Sequence, residues 1–472
     1  MKITRIFFCL SILYVGCNIP KETQTPQLKT VPSVYSNSQD STNSADINWR
    51  VFFNDKYLVD LIDTAVFNNP DLSIALQDIE IARNKVKFTN GELYPKVYAS
   101  GAVGVEKVGR YTSQGAGDAS ADITPGKPVP ENLTDLYLGL NTSWELDVWG
   151  KLRSAKKAAL AKYLGNIEGR NFVLTNLIAE IASSYFELLS LDNQLEIIRK
   201  TIELQKNQLE IVRVQKQAAV VTELAVKQFE AQVLHSQGLE FDVLQAITEN
   251  ENRINFLLGR YPQKIIRDQA TLTSRLPNQV NAGIPSQLLK NRPDIKQAEL
   301  ELVAAKWDTK TARLSFYPSL NISGGIGVQA FKPSFLFTMP ESLIYSLIGD
   351  LAGPIINRNA IVAEYKTANA IQIQAMYDYQ KAILNGYLEV ANEMSNINNL
   401  EKLYAVKAKE VETLTSSIDI SNELFKSARA NYLEVLTAQR DALASNLELV
   451  DVKKREFDAV TNVYKALGGG WK

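Results

Sequence analysis

Hydrophobic residues recur along this chain with two different periods, and the two periods alternate in blocks. Helical spacing, with apolar residues three or four positions apart, covers residues 72–86 and ends before Pro95, because proline cannot continue a helix. Strict alternation of apolar with small or polar residues then covers residues 97–105 and 136–146, which is typical of β-strands. The pattern therefore predicts a helix and two strands around a polar loop over residues 109–132.

The composition changes after each predicted strand pair. Residues 150–261 and 355–472 contain no proline and are rich in alanine, leucine, glutamate, glutamine and lysine, which favours helix. Two helices filling such a stretch would each approach ~80 Å at about 1.5 Å per residue. Because helices of that length cannot be covered by one globular core, we expect antiparallel coiled coils in both stretches.

The body of the chain is a tandem duplication. Three segments recur at an offset of 223 residues and later segments recur at an offset of 209, so the first copy carries 14 extra residues. The recurring pairs are Asn69-Pro70-Asp71-Leu72 with Arg292-Pro293-Asp294-Ile295, Tyr94-Pro95 with Tyr317-Pro318, residues 101–105 with residues 324–328, Glu180-Ile181-Ala182 with Glu389-Val390-Ala391, and Leu258-Gly259 with Leu467-Gly468. We therefore divide the body into a first repeat over residues 49–260, a linker over residues 261–284 and a second repeat over residues 285–472.

The N-terminus has the pattern of an export signal. A basic start and an apolar run over residues 6–15 precede Cys17, which is the pattern of a bacterial lipoprotein signal. The signal would cover residues 1–16, and Cys17 would become the acylated residue; a plain signal peptide cut elsewhere is the alternative. Residues 17–48 are rich in serine, threonine, asparagine, glutamine and proline, so we expect an extended linker between the lipid and the body.

Composition argues against catalysis and against a metal site. Both cysteines lie in the signal region and the one histidine is His235, so the body offers no thiol ligands and little acid–base chemistry. Glu145 and Asp147 lie two positions apart on a predicted strand, where they would share a face at a barrel mouth rather than act as a hydrolase pair. Residues 468–470 are three glycines without a following Lys-Ser/Thr, so we expect a flexible C-terminus and no phosphate loop. A net charge of −1 gives no reason to expect nucleic acid as a partner.

Four predicted strands in one chain imply a membrane barrel that several chains share. Four alternating strands with one apolar face would leave two unpaired edges, and closing a barrel removes such edges. Lipid demands the same closure, because it cannot hydrogen-bond an exposed backbone. Four strands are too few to enclose an aqueous pore, whereas three chains would supply twelve, which argues for a cyclic trimer.

Several segments resemble the outer-membrane efflux protein family of the TolC type, and most closely its lipid-anchored members. The segments are Trp144-Glu145-Leu146-Asp147-Val148-Trp149-Gly150, Arg292-Pro293-Asp294-Ile295, Tyr432-Leu433-Glu434-Val435-Leu436, Ala438-Gln439-Arg440 and Leu467-Gly468-Gly469-Gly470-Trp471. The order and spacing of these segments are specific, and the resemblance covers the chain from residue 49 to its end.

The resemblance implies a mixed α and β membrane protein. Long antiparallel coiled coils would form a periplasmic α-barrel, and four transmembrane strands per chain would complete a twelve-stranded β-barrel in a homotrimer. It also implies an efflux channel in the outer membrane, lipid-anchored at Cys17, that docks with a periplasmic adaptor and an inner-membrane pump of the RND type. Such a channel conducts drugs, toxic compounds or metal ions passively and needs no cofactor. The alternatives are a type I protein-secretion duct and, in a different class, a non-conducting structural coiled-coil lipoprotein.

The resemblance assigns roles to the far ends of the coiled coils. The hairpin tips, where adaptors dock in the family, fall at Ala219 and Ala428, positions where the family often has glycine, which tolerates a positive φ. A periplasmic gate falls just beyond the second tip. Its residues are Leu433, Glu434, Thr437, Arg440 and Asp441.

Helical spacing adds detail to this gate. Glu434, Thr437 and Asp441 share one face of a helix. Leu433 and Arg440 share the adjacent face. By the resemblance, Leu433 would narrow the pore, Glu434 would form a ring of three carboxylates and Arg440 would tie neighbouring helices. The alternative is that these residues are solvated helix positions with only local ion pairs.

Overall fold

The fold is taken from a computed structural model, which describes residues 30, 32, 35, 42–268, 281–353, 359–427 and 429–471. The predicted signal peptide over residues 1–16, the lipidation site Cys17 and the second tip residue Ala428 lie outside the described residues. The chain forms two compact units. The first unit contains Ile81–Tyr163 and Leu300–Met376, and the second contains Gln27–Glu80, Leu164–Glu299 and Tyr377–Lys472.

The helices and strands follow the predicted order in the described part of the chain. The α-helices are α1 Trp49–Phe53, α2 Lys56–Asn68, α3 Pro70–Gly91, α4 Ser113–Asp118, α5 Lys151–Gln217, α6 Glu223–Leu257, α7 Leu288–Asn291, α8 Pro293–Leu314, α9 Asn359–Lys426 and α10 Tyr432–Ala466. The strands are β1 Lys96–Glu106, β2 Asp122–Thr124, β3 Lys127–Pro128, β4 Leu133–Leu146, β5 Ser319–Ala330 and β6 Leu343–Ala352.

Equal element lengths support the duplication. Helices α3 and α8 both have 22 residues, and α6 and α10 both have 35. Helix α5 has 67 residues and α9 has 68, so each is about 100 Å long at 1.5 Å per residue. The long proline-free stretches therefore form long helices as predicted, but the two helices of each stretch are unequal. The returning helices α6 and α10, with 35 residues, are only about 50 Å long, so the expectation of two helices of ~80 Å each is wrong.

Four of the strands form one antiparallel sheet in the order β1-β4-β5-β6. The pairing of β4 with β5 joins the two repeats, and Gly139 lies opposite Gly327 in that central pair. β4 and β5 each have a neighbour on both sides, whereas β1 and β6 are edge strands of this sheet. The four predicted strands are thus confirmed, and each repeat contributes two of them.

Aromatic side chains from the short N-terminal helices and the long helices pack among leucine and isoleucine side chains in the core of the second unit. Phe52 stacks on Tyr464 with ring centroids 4.1 Å apart. Tyr185 is fully buried, and its hydroxyl donates to the carboxylate of Asp55 at 3.2 Å, while the same carboxylate caps α2. A window of α5 is long and apolar enough to cross a membrane, but 67% of that window is buried inside the chain, so packing accounts for its composition.

The C-terminal glycines belong to this core, which corrects the expectation of a flexible C-terminus. Gly468 and Gly470 have φ angles of 84° and 102°, in the left-handed region that favours glycine. All three glycines are buried. A Cβ atom on Gly468 would lie 2.5 Å from the carbonyl oxygen of Asn291, so this close approach of two main-chain segments requires glycine.

Several described positions of the predicted linker over residues 17–48, namely Tyr35 and residues 43–45, are packed against the body rather than extended in solvent. Tyr35 is only 5% exposed, and its ring stacks on Tyr387 with centroids 5.2 Å apart. Asn43 donates from Nδ2 to the Gln287 side chain at 3.1 Å and forms a β-bridge with Ala282. These contacts correct the expectation of an extended linker at these positions.

Asp147 does not lie on the same strand as Glu145, contrary to the prediction, because β4 ends at Leu146. The Asp147 carboxylate accepts hydrogen bonds from the main-chain N–H groups of Leu152 and Arg153, at 2.9 and 3.0 Å, at the start of α5. Partial burial acts to raise the pKa of Asp147, but these bonds and the Arg153 guanidinium outweigh it and lower the pKa. Asp147 therefore caps α5, and the prediction that Glu145 and Asp147 share one face of a strand is wrong.

Candidate conduction pathway

The two faces of the four-stranded sheet differ in polarity. Side chains on the apolar face include Val97, Val103, Leu138, Leu140, Ile326, Val328, Tyr345 and Leu347. Side chains on the polar face include Ser100, Asp135, Asn141, Ser143, Asn321, Ser323 and Gln329. Because lipid-facing and water-facing residues alternate along transmembrane strands, the first face suits lipid and the second suits an aqueous lumen.

Hydrogen bonds between side chains connect the strands across the polar face. Asn141 donates from Nδ2 to the Ser100 hydroxyl at 2.5 Å, and the Tyr137 hydroxyl donates to Asn141 Oδ1 at 3.1 Å. Gln329 donates from Nε2 to both carboxylate oxygens of Asp135 at 2.9 Å. Within the described ranges no group of three or more His, Cys, Asp or Glu side chains is placed to hold a metal ion.

Tryptophan side chains lie where β4 leads into α5. Trp149 stacks on Tyr317 with centroids 5.1 Å apart, and its Nε1 donates to the Pro318 carbonyl at 2.7 Å. Trp144 donates from Nε1 to the Leu93 carbonyl at 3.0 Å. An apolar ring system with a satisfied N–H group suits the membrane–water interface, so this end of the sheet has the chemistry of a membrane boundary.

The two loops that connect the strand pairs leave the opposite end of the sheet. Residues 107–132 join β1 to β4, and residues 331–342 join β5 to β6. The longer loop carries α4 and the β2–β3 hairpin, and Lys107 and Arg110 both form ion pairs with Glu131 there. In outer-membrane barrels the longer loops face the cell exterior, so this end of the sheet is the candidate outer end.

The first predicted tip residue, Ala219, lies in the turn between α5 and α6. Its φ is 59°, a left-handed value that is uncommon for any residue other than glycine. The N–H of Val220 donates to the Gln215 carbonyl at 2.9 Å, which closes the end of α5 in the manner of a Schellman turn. The backbone here therefore has the conformation for which the family's glycine is suited, although the residue is alanine.

The second turn, between α9 and α10, contains the equivalent main-chain hydrogen bond. The N–H of Arg429 donates to the Leu424 carbonyl at 2.8 Å, and these residues are the counterparts of Val220 and Gln215 at the offset of 209. The predicted tip residue Ala428 lies outside the described residues. Both repeats therefore share this hydrogen bond at the end of their long helix.

The predicted gate residues occupy the first turns of α10. The Asn431 side chain caps this helix by accepting hydrogen bonds from the N–H groups of Leu433 and Glu434, at 2.9 and 3.2 Å. Leu433 is 55% exposed, and Glu434 and Thr437 are exposed as well. The structure thus brings these three residues to the unpacked side of one helix end.

The remaining gate residues pair with each other. Arg440 donates to Asp441 Oδ1 at 3.0 Å, and this ion pair lies within α10, so the predicted link between Arg440 and a neighbouring helix stays a prediction. On the opposite side of the helix Val435 and Leu436 are buried in an apolar cluster with residues of α5 and α6. That cluster fixes which face of α10 remains exposed.

A buried charge network around Arg292 was not predicted from the sequence, which indicated only that the segment Arg292-Pro293-Asp294-Ile295 recurs. Arg292 is 4% exposed, forms ion pairs at 2.6 Å with Asp294 and Glu389, and donates to the Ala466 carbonyl at 2.9 Å. Burial acts to lower the pKa of Arg292, but the hydrogen bonds and charges of Asp294 and Glu389 outweigh it and raise the pKa. The sequence signal that could have revealed this network is the change from Asn69 in the first repeat to Arg292 in the second. A buried charge requires oppositely charged or hydrogen-bonding partners.

The family model for outer membrane efflux proteins matches residues 61–260 and 284–469 of this chain. The cation efflux system protein CusC of Escherichia coli K12 is 28% identical over 473 residues, covering 98% of both chains. The probable outer membrane lipoprotein SilC of Salmonella typhimurium is 28% identical, covering 97% of both chains. The solvent efflux pump outer membrane protein SrpC of Pseudomonas putida is 28% identical, covering 89% of this chain and 87% of its own.

Solved structures agree with this match. A crystal structure of CusC superposes with a TM-score of 0.82 at 26% identity, covering 96% of this chain and all of the other. The open state of the Neisseria gonorrhoeae channel MtrE has the same fold, with a TM-score of 0.82 at 21% identity over 97% of this chain. The chain belongs to the outer membrane efflux protein family and is an efflux channel component of the outer membrane.

Proposed function

We propose that three copies of this chain form one closed channel, in which β1 of each copy pairs with β6 of the next. The supporting observation is the sheet itself, which has one apolar face and two edge strands of 11 and 10 residues. Long unpaired edges beside an apolar face are an aggregation hazard in water and are not tolerated in lipid. Closing the ring gives the unpaired main-chain N–H and C=O groups of both edge strands hydrogen-bond partners at the same time.

The count of strands supports three copies. Barrels of about eight strands are largely filled by their own side chains, so four strands cannot enclose an aqueous path. Three copies give a twelve-stranded barrel with the polar face inside, and their long helices α5, α6, α9 and α10 would form the periplasmic tube. The channel is a passive duct without a cofactor or catalytic step.

Cross-linking tests this arrangement, because the body of the chain has no cysteine of its own. Ala102→Cys in β1 combined with Ser346→Cys in β6 places one thiol on each edge strand. A short bis-maleimide should then give a ladder that ends at the trimer. The control is Ser143→Cys with Ser323→Cys, which lie opposite each other in β4 and β5 and should cross-link within one chain. A ladder beyond three chains, or the absence of any ladder, would contradict the trimer.

The cargo is a small molecule delivered by a tripartite system. The relatives named for cation efflux and for solvent efflux are both 28% identical to this chain, so the degree of identity does not select one cargo class. We infer that a periplasmic adaptor docks at the tips near Ala219 and Ala428 and that an inner-membrane pump of the RND type supplies the energy. Cross-linking in cells from a photoreactive residue at Ala219, followed by identification of the partner, tests the docking site. Capture of an adaptor from a photoreactive residue in the middle of α5 but not from Ala219 would contradict it.

The gate and the anchor complete the proposal. Leu433, Glu434 and Thr437 at the start of α10 would close the periplasmic end in the resting channel, with Arg440 and Asp441 behind them. Cys17 would carry the lipid that holds the chain to the outer membrane. Leu433, Glu434 and Thr437 are exposed in the single chain, which supports their role in the gate. A residue that closes the channel must be accessible to the same residue of the other two copies at the symmetry axis.

A further inference from the structure

The ring of Tyr137 lies along β4 instead of pointing away from the sheet. Its hydroxyl donates to Oδ1 of Asn141 at 3.1 Å, four residues further along the same strand and on the same face. Asn141 is itself held in place, because its Nδ2 donates to the Ser100 hydroxyl at 2.5 Å. A side chain that stood out from the sheet could not reach this acceptor, so the ring runs parallel to the strand over the position between them.

That position, and the positions beside it on β5, are glycines. A Cβ atom on Gly139 would overlap the Tyr137 hydroxyl and lie 2.8 Å from Cζ. One on Gly327 would lie 2.6 Å from the Leu138 carbonyl oxygen and 3.1 Å from Cε2 of Tyr137. A Cβ atom on Gly325 would lie 2.6 Å from Oδ1 of Asn141. We call these three positions the glycine floor: Gly139, Gly325 and Gly327. Because they have no side chains, they leave a groove on the sheet that the Tyr137 ring and the Asn141 side chain occupy.

Other glycines of the sheet have no such role. Gly104 lies on the same polar face, in β1, and the nearest atom to a Cβ built there is 3.9 Å away. An alanine at Gly104 would thus fit without moving a neighbour, whereas an alanine at Gly139 would displace the ring. Because a Cβ atom on Gly139 would also lie 2.9 Å from the Ile326 carbonyl oxygen, removal of the Tyr137 ring in the Gly139→Ala background is what separates the effect of the ring from that of the main-chain contact.

We propose that Tyr137 sets the free bore of the barrel and that the glycine floor keeps its ring against the wall. The proposal rests on the function proposed above, in which the polar face lines a lumen shared by three copies. Symmetry then places three Tyr137 rings at one height. Rings that lie flat leave the lumen open at that height, and rings driven off the floor project inward and lower the size limit for solutes passing outward.

Size-graded thiol labelling from outside the cell tests this directly. Ser143→Cys serves as the reporter, because Ser143 lies on the polar face beyond Asn141, on the side of the ring away from the outer loops. A small impermeant maleimide and one that carries a polyethylene glycol chain are added to intact cells expressing the reporter. The labelling rate of the large maleimide divided by that of the small one reports the width of the lumen. The labelling rate of the small maleimide alone reports that the barrel is folded and its lumen open.

Gly139→Ala should lower this ratio, and Gly104→Ala should leave it at the reporter's value. Adding Tyr137→Ser to Gly139→Ala should restore the ratio, because the projecting ring is then absent. Tyr137→Phe, which leaves the main chain untouched, should lower the ratio to a smaller extent through loss of the bond to Asn141.

Equal ratios in Gly139→Ala and Gly104→Ala, or a double variant that stays restricted, would overturn the role of the ring. If Gly139→Ala does not fold, an unchanged ratio in Tyr137→Phe would overturn it. A reporter that the small maleimide cannot reach from outside would instead refute the lumen, and with it the proposed channel geometry.

Discussion

Arg292 donates a hydrogen bond from Nη1 to the main-chain carbonyl of Ala466 at 2.9 Å. Asn69, its counterpart in the first repeat, donates from Nδ2 to the Leu257 carbonyl at 2.8 Å. Both carbonyls belong to the last turn of the returning long helix of the same repeat. Both repeats therefore have the same hydrogen-bonded contact, here called the joint, between the start of a 22-residue helix and the end of a 35-residue helix. Only the donor side chain differs, Asn69 in the first repeat and Arg292 in the second.

The two donors should differ in what their removal costs. Arg292→Ala leaves the carboxylates of Asp294 and Glu389 without the guanidinium that they contact at 2.6 Å, and loss of one partner from a buried ion pair costs about 3–5 kcal/mol. Since Glu389 is half exposed, the lower end of that range, about 3 kcal/mol, applies. Asn69→Ala removes a hydrogen bond and the cap of the Leu72 N–H, which costs about 1–2 kcal/mol.

Thermal unfolding of the detergent-solubilised protein measures this order. The apparent Tm should fall more for Arg292→Ala than for Asn69→Ala, and an exposed substitution such as Lys200→Ala should change it little. A larger fall for Asn69→Ala would show that the charge network adds nothing beyond the shared hydrogen bond.

The sequence identifies the joint but not its chemistry. The offset of 223 residues aligns Asn69 with Arg292 without any structure, because a duplication is visible in one chain. It does not reveal that Glu389, 97 residues from Arg292, meets it, because such contacts depend on how two long helices pack. The same limit explains Asp147, whose hydrogen bonds to α5 override the strand pattern, and Gly468, whose glycine is required by the main chain of Asn291.

The first coiled-coil turn should gain stability from a glycine. Ala219 has a φ of 59°, and the left-handed conformation costs a non-glycine residue roughly 1–2 kcal/mol, part of which is offset by the greater freedom of glycine in the unfolded chain. Ala219→Gly should therefore slow hydrogen–deuterium exchange of the amides at the end of α5. Ala218→Gly, one residue earlier and without a positive φ, should speed that exchange. Slower exchange in both variants would show that backbone strain at Ala219 is not the cause.

Asp458 should make stability depend on pH. Burial raises the pKa of Asp458 above its ordinary value of 3.8, although the ammonium of Lys454, 3.5 Å away, acts to lower it. The folded state thus binds this proton more tightly than the unfolded state, so the stability gained from protonation is present below pH 3.8 and is lost as the pH rises through the raised pKa. At neutral pH the buried charge is a cost.

Asp458→Asn removes that cost and keeps the side-chain shape. The apparent Tm of the variant should exceed that of the wild type at neutral pH, and the difference should disappear in acid, where Asp458 is protonated in both states. Asp451→Asn, on the exposed side of the same helix, is the matched control and should have little effect at either pH. A variant that is less stable at neutral pH would mean that attraction to Lys454 outweighs burial.

Cys17 should carry the lipid anchor. Cells grown with a labelled fatty acid should yield a labelled wild-type protein and an unlabelled Cys17→Ser variant, since Cys17 is the cysteine that ends the apolar signal run. The cross-linked trimer should still form in the variant, because an acyl anchor adds little to the membrane binding of a barrel. Labelling that persists in Cys17→Ser would refute the assignment.

The start of α10 offers the sharpest test of the gate. Glu434 is exposed in the first turn, where the positive end of the helix dipole favours a carboxylate, while Asp441 is held by Arg440 at 3.0 Å. The equivalent residue of the first repeat is Ala225, which is fully buried, so a trimer would bring three acids and not six to its axis. Three carboxylates held close to one axis attract multivalent cations strongly.

Purified channels in planar bilayers should therefore be blocked by a trivalent cation added from the periplasmic side. Glu434→Gln should weaken this block, because it removes the charge at almost constant shape, and Glu434→Ala should weaken it as well. Glu423→Gln, which removes an exposed carboxylate on the other side of the turn, should leave the block unchanged. Equal block in Glu434→Gln and in the wild type would exclude Glu434 from the gate and leave Asp441 as the remaining acid among the predicted gate residues.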